Sequence, residues 1–391
     1  MSGPLKGLRV ADFSQLVQGP SATQLLGDMG ADIVKIEPRG GDWSRNWSVG
    51  DFYMNGESLS FIAFNRAKRS ITLDLKAPEG KEIAMRIIKS SDILIEIFRP
   101  GVMDRLGLGY EALAKVHPGL IYCASSGWGQ DGPYKERPGQ DLLAQSIAGV
   151  LMLNGSAADP PMPVGIGLAD LTASLHIVIA VLMAVYERQR SGKGQRIDIN
   201  LLDSMMHMAT QELTLYFNTL GEPVRSAAGV AYPCAGAPMG VYQTKDGFIS
   251  IAMMPVGKIG ELVGVEGFEG NDSRNVTENR DEVKRKLEEG FKRKTTAELM
   301  DIFMAADIWA APVNRFPDVE RDPQVRHNKT VIEFEHPSAG KFRTVKPPMK
   351  FSRTPGEIRR PPLLGEHKDE ILAEVGYSEQ EIARLKESKV V

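Results

Sequence analysis

Cysteine is scarce in this chain of 391 residues: Cys123 and Cys234 are the only two. Neither stands in a CxxC or Cys/His arrangement, which excludes a disulfide framework and a zinc signature and fits a reducing, cytoplasmic setting. The six histidines show no ligand spacing, so no metal site is expected. An excess of one charge is missing too. A formal net charge of -3 is too small for a general nucleic-acid or membrane-surface binder. The opening MSGPLKGLRV has no apolar signal core, and the most apolar stretch, Leu171 to Tyr186, reads as shorter than a bilayer span and carries Thr172, Ser174 and His176. Neither a membrane nor a nucleic acid is therefore expected as a partner. Nucleotide fingerprints are also absent. After the first apolar strand the turn reads SQLVQGPSA where a dinucleotide site needs GxGxxG, and Gly192-Lys193-Gly194 follows a helix and precedes a strand, the reverse of a P-loop.

What is present is ordinary globular composition, 42% hydrophobic and 25% charged, enough for about two or three domains. The first third alternates strand and helix. Strands are expected at Leu8 to Asp12, Asp32 to Glu37, Ile71 to Leu75, Ile93 to Phe98 and Leu120 to Ala124, with helices from Gly19, from Pro78 to Lys89 and from Met103 to Lys115. Such alternation predicts an α/β fold with a parallel sheet covered by helices on both faces. A further strand is expected over Arg196 to Asn200, with a helix after it. Residues Gly221 to Pro238, rich in Gly, Ala and Pro, read as a linker. Beyond it, Tyr242 to Ile251 reads as a hairpin turning at Asp246-Gly247, and Glu278 to Ala306 as charged helix with a solvated face.

One carboxylate demands an explanation. Gly165-Ile166-Gly167-Leu168-Ala169-Asp170 places an acid at the entrance to the apolar helix Leu171 to Tyr186, which is apolar on nearly every face and so expected to be buried. Asp170 is either an N-cap, for which Asp is a preferred residue, or a nucleophile beside backbone amides and shielded from water. Position alone favours the cap.

The opening PLKGLRVADFSQLVQGPSATQLLGDMGADIVKIEP, the block FNRAKRSITLDLKAPEGKE, the segment RPGVMDRLGLGYE, the GLAD motif ending in Asp170 and the closing PPLLGEHKDEIL together resemble the class III CoA-transferases, the carnitine/bile-acid and formyl-CoA:oxalate CoA-transferase family. The likeness runs in order over residues 4 to about 210 and 312 to 375. It implies a Rossmann-like large domain with a parallel sheet plus a smaller α+β domain: residues 1–220 and 326–391 form the large CoA-binding domain and 221–325 the inserted small one. An interlocked homodimer is implied as well. The implied chemistry moves CoA from an acyl-CoA donor to a free carboxylic acid through an aspartyl anhydride and an aspartyl-CoA thioester at Asp170, with no prosthetic group and with acyl-CoA and a small acid as partners.

Position by position, the resemblance implies CoA contacts from Gln18, Arg39, Leu73, Lys76, Phe98, Arg99, Arg105, Arg137, Gln140 and Asp141. Two features depart from the family pattern. Ile97 stands where many relatives carry asparagine, removing a side-chain amide, and Met253 to Gly260 stands where oxalate-specific members have a Gly-rich loop. The residue readings leave two alternatives. An α-methylacyl-CoA racemase would need a histidine where Gln140 stands, and glutamine is no proton-transfer base near neutral pH. His176 reads instead as a hydrogen-bonded core residue. A non-catalytic CoA-binding protein would have no use for Asp170 beyond capping.

Overall fold

The computed structural model describes residues 3–219 and 221–391. At its centre is a six-stranded sheet in the order Lys68–Thr72, Asp32–Glu37, Arg9–Asp12, Ile93–Glu96, Ile121–Ser126, Arg196–Asn200. Every pairing in it is parallel. The strands thus run outward in both directions from Arg9–Asp12, the doubly wound order in which ligands settle at the carboxyl ends where the order reverses. The expected mixed α/β architecture is present.

Alternation along each strand divides the apolar residues between two cores. Val10, Ile33, Ile93, Ile121 and Cys123 pack with Ala22, Leu26, Ile177 and Val181. Their neighbours Ala11, Val34, Leu94 and Tyr122 pack with Ile83, Ile87, Ile371 and Leu385. The second group joins the helix Pro78–Lys89, begun by a proline at its first position, to the C-terminal helices Lys368–Glu374 and Glu379–Glu387. The tail is held at its edge by Arg69, which bonds Asp32 at 2.6 Å and Glu374 at 2.8 Å.

Several elements differ from expectation. The edge strand lies at Lys68–Thr72, earlier than Ile71 to Leu75. The helix expected from Met103 to Lys115 is two, Val102–Leu106 and Tyr110–Val116, because Gly107 takes a left-handed conformation (φ 77°) and stops the first. The apolar helix spans Leu168–Ser191, 24 residues rather than the shorter stretch expected, and ends at Gly192. Nor is it buried all round. Ala173, Ile177 and Val181 are in the core, whereas Leu175, Ile179, Met183 and Tyr186 are exposed. Among the described residues this is one helix long and apolar enough by length and composition to cross a membrane, with half of its apolar stretch buried within the protein.

The chain divides into two compact units. The first comprises the chain up to Ala144, Gly167–Met205 and Gln324–Val391; the second comprises Gln145–Ile166 and Met206–Pro323. Residues 145–166 and 206–219 thus group with the second unit, which contains a three-stranded sheet ordered Ala310–Pro312, Phe248–Ile251, Gly240–Gln243. The hairpin turning at Asp246-Gly247 is present. Its core stacks Tyr242 on Phe291, ring centres 4.4 Å apart, beneath the helices Arg280–Phe291 and Thr296–Ala305. These two helices make up the helical, charged sequence expected from Glu278 to Ala306.

Candidate active site

Loops leaving the carboxyl ends of the sheet converge in the first unit. Gln15–Gln18, Ile97–Pro100 and Ser126–Gly129, with Lys135, Arg137–Gln140, Asp170 and Leu201, line a cavity of about 210 Å³. Two of these loops follow Arg9–Asp12 and Ile93–Glu96, the adjacent strands between which the sheet order reverses, where the topology favours a ligand. A larger hollow of about 510 Å³ in the second unit is ringed by Glu261, Glu266, Glu269 and Asp272, against one cation, Lys258. Its acidic rim suits an anionic substrate poorly, and the smaller cavity, which combines a carboxylate with Arg99, Lys135 and Arg137, is the candidate site.

Asp170 is not the cap of its helix. Gly167 occupies that position without a side-chain bond, which makes Asp170 the third helical residue. The capping oxygen comes from elsewhere: Asp141 Oδ1, at the start of the helix Asp141–Ile147, accepts the backbone N–H of Ala169 at 2.7 Å and of Asp170 at 3.2 Å. These two amides are therefore already engaged. The Asp170 carboxyl is pushed up to about 7, first by burial and then by the negative charge of Asp141; no hydrogen bond or cation among the described residues offsets them.

The wall formed by Gln15–Gln18 rests on buried charge. Asp12 accepts from Thr23 Oγ1 at 2.7 Å and Lys68 Nζ at 3.2 Å, and also holds the Ser14 backbone N–H at 2.9 Å. Lys35 Nζ bridges the Ser14 carbonyl at 2.9 Å and Asp42 at 2.7 Å. Asp12, Lys35, Asp42 and Lys68 have side chains wholly shielded from solvent. Burial opposes the charge on Asp12, yet Lys68 and Lys35 hold its carboxyl below the usual range. Lys68 is pushed down to about 8 by burial against the attraction of Asp12. The sequence reading did not single out this network, since charges 56 residues apart, such as Asp12 and Lys68, meet only through the fold.

On the opposite wall Gly127 and Gly139 touch through their backbones. A Cβ on Gly127 would lie 2.5 Å from the Gly139 Cα, and one on Gly139 would lie 2.4 Å from the Gly127 Cα. Both positions therefore require glycine for the loops to meet. Nothing in the motif Pro138-Gly139-Gln140-Asp141 names the partner of its glycine, because the contact is made across the fold.

Of the residues implied to contact CoA, the fold gathers Gln18, Phe98, Arg99, Arg137 and Gln140 around Asp170. Gln18 donates to Ser125 Oγ at 2.5 Å, and Arg137 stacks over the Tyr134 ring at 3.8 Å. Gln140 Oε1 accepts the Leu142 N–H at 2.9 Å. Asp141 stands behind the wall as the helix cap. Arg39, Lys76 and Arg105 are exposed and do not line this cavity, and the Leu73 side chain is wholly within the core. His176 is half-buried and His207 exposed, and no group of three or more metal-binding side chains occurs among the described residues.

A carboxylate in a cation-bearing cavity at the switch point of a doubly wound sheet describes an α/β enzyme acting on an anionic substrate. Residues 5–368 match the profile of CoA-transferase family III, and the chain belongs to that family. A succinyl-CoA:glutarate CoA-transferase from Mus musculus is 34% identical, over 99% of this chain and 90% of its own length. A formyl-CoA:oxalate CoA-transferase from Rhodopseudomonas palustris strain BisA53 is 33% identical, over 99% and 97%. The crystal structure of a CAIB/BAIF family protein from Brucella suis superposes with a TM-score of 0.85 at 33% identity, covering 96% of this chain and all of that one.

Proposed function

We infer that this enzyme transfers CoA from an acyl-CoA to a free carboxylic acid with Asp170 as nucleophile. The observation that carries the reading is the Asp170 carboxyl: buried enough to be basic, without a neutralising partner, and lining a cavity with three cationic side chains. An Asp170 oxygen attacks the thioester carbonyl carbon, the C–S bond breaks, and CoA thiolate departs, leaving an acyl-aspartyl anhydride. The thiolate then attacks the aspartyl carbonyl and expels the donor acid, forming an aspartyl-CoA thioester. The acceptor carboxylate attacks that thioester, CoA thiolate leaves again, and its return to the new acyl carbon releases acyl-CoA and regenerates Asp170. A thiolate of ordinary pKa ~8.5 is an adequate leaving group, and proximity compensates for a weak nucleophile.

In this reading Arg99, Lys135 and Arg137 attract the anionic substrate. Phe98 supplies apolar surface beside Gln18 and Gln140, and the exposed Arg39, Lys76 and Arg105 serve phosphates farther from the reacting carbon. Leu73 contributes through its backbone. Asp141 acts on the reaction by positioning Asp170. The acceptor is a small or medium carboxylate, dicarboxylates included, as the names of the glutarate and oxalate relatives support. A homodimer completes the proposal, supported by the exposed apolar row Leu175, Ile179, Met183 and Tyr186 on the Asp170 helix. A monomeric mass in gel filtration at low concentration would remove that part.

Incubation with a panel of acyl-CoAs, quenching with hydroxylamine and peptide mapping by mass spectrometry tests the chemistry. A hydroxamate at Asp170 supports the covalent route and ranks the donors. Turnover without any such label, or with a label elsewhere, overturns it.

A further inference from the structure

Glu96, the last residue of strand Ile93–Glu96, is 5% exposed, and no cation lies within ion-pair distance of its carboxylate among the described residues. Its Oε2 accepts the Phe98 N–H at 2.7 Å, and Tyr122 Oη approaches Oε1 at 3.5 Å. The bond to Phe98 folds the chain back just where Ile97, Phe98, Arg99 and Pro100 turn outward to line the cavity. A neutral acceptor would hold the same amide without the cost of burying a lone charge, so a carboxylate here calls for a reason beyond stability.

We propose that Glu96 is a positioning residue for acyl-CoA: its ionised carboxylate grips the Phe98 amide and sets the Ile97–Pro100 wall, and its protonation relaxes that wall and weakens CoA binding. The inference rests on the CoA-transferase reading of the same cavity. A charge-assisted bond to an N–H is about twice as strong as a neutral one, so the two protonation states hold the loop unequally. The charged and titratable groups around Glu96 are Tyr122 and Cys123 on one neighbouring strand, Asp104 on the helix after the loop, and Arg196 on the outer strand, already bonded to Asp198 at 2.9 Å. None neutralises it, and burial pushes the carboxyl up to about 7.

Titration calorimetry with coenzyme A between pH 6 and pH 8 tests the proposal on the full chain. In the wild type, affinity falls from pH 8 to pH 6 by up to about 10-fold beyond the changes that CoA's own phosphate ionisation and the titration of Asp170 in the same cavity, measured in Asp170→Asn, produce. In Glu96→Gln, which preserves shape and can still accept the Phe98 N–H, this extra dependence disappears and affinity stays near the wild-type value at pH 6. Tyr122→Phe removes the hydroxyl that favours the ionised form and moves the wild-type midpoint to higher pH, giving a second reading that does not require Glu96→Gln to fold. Identical pH dependence in wild type and Glu96→Gln, or an unmoved midpoint in folded Tyr122→Phe, overturns the positioning role while leaving CoA binding intact. Absence of CoA binding at every pH overturns the CoA-transferase reading itself and the inference with it.

Discussion

Asp141 caps the helix that carries Asp170: one Asp141 oxygen holds the Ala169 amide at 2.7 Å and the Asp170 amide at 3.2 Å. The same carboxylate that fixes the Asp170 backbone also raises the proton affinity of its side chain, so position and basicity are set together.

On the proposed mechanism, removing the Asp170 carboxylate should abolish transfer and leave the fold. Asp170→Asn is expected to lower turnover by about 10³-fold or more while retaining CoA binding, as measured by steady-state kinetics and calorimetry. Loss of folding together with activity would restore a structural explanation for Asp170.

In the proposed mechanism, anhydride formation requires ionised Asp170. With its carboxyl near 7, the rate of acyl labelling at saturating acyl-CoA should rise about 10-fold per pH unit below that value and level off above it. Asp141→Asn, by deleting the nearby negative charge while keeping an oxygen that can accept the two amides, should shift the midpoint to lower pH with little loss of the cap. A midpoint unchanged in that variant would separate Asp141 from the chemistry.

The same shift links Asp170 to stability. Its folded-state pKa is raised above the unfolded one, so the folded chain binds the extra proton and the associated stability is present at pH 4 and lost as pH rises through about 7. Asp170→Asn should therefore be more stable than wild type by about 1–3 kcal/mol at pH 8, and its advantage should shrink toward pH 4, as read from denaturant unfolding at each pH.

Gly127→Ala or Gly139→Ala should force the two loops apart, costing about 1–3 kcal/mol and raising KM for acyl-CoA more than it lowers kcat. The pair should not be additive, because either substitution opens the same contact. Thermal unfolding and kinetics of the single and double variants decide this.

Lys68→Met would leave Asp12 buried with one fewer cation and should cost about 3–5 kcal/mol of stability. Asp12→Asn combined with Lys68→Met should recover part of the loss, because the remaining uncompensated charge is then removed as well. Chemical denaturation of the two variants supplies the comparison.

Much of the fold was legible locally. The strands Asp32–Glu37 and Arg196–Asn200 and the helix Pro78–Lys89 fall at their expected bounds, since short apolar runs and an N-terminal proline are signals carried by neighbouring residues. Less legible were interruptions such as Gly107, where a single residue's φ decides whether a helix continues. The exposed row Leu175 to Tyr186 also escaped, because an all-apolar helix does not itself indicate which face its neighbours cover. The fold brings Asp170, Gln18 and Phe98, which the motifs single out, to one cavity, whereas no motif points to Asp141 as a cap or to Glu96 as a lone buried acid.

By itself the sequence determined the alternation of strands and helices, the absence of a dinucleotide fingerprint, and a motif pattern that matches CoA-transferase family III. Only the tertiary structure decided that strands Arg9–Asp12 and Ile93–Glu96 lie side by side, which residue caps the Asp170 helix, and which carboxylates are deprived of water. Periodicity and turn chemistry are local and survive in a list of residues. Burial and the pairing of charges 29 to 56 residues apart, as Asp141 with Asp170 and Asp12 with Lys68, depend on which surfaces the packed sheet brings into contact.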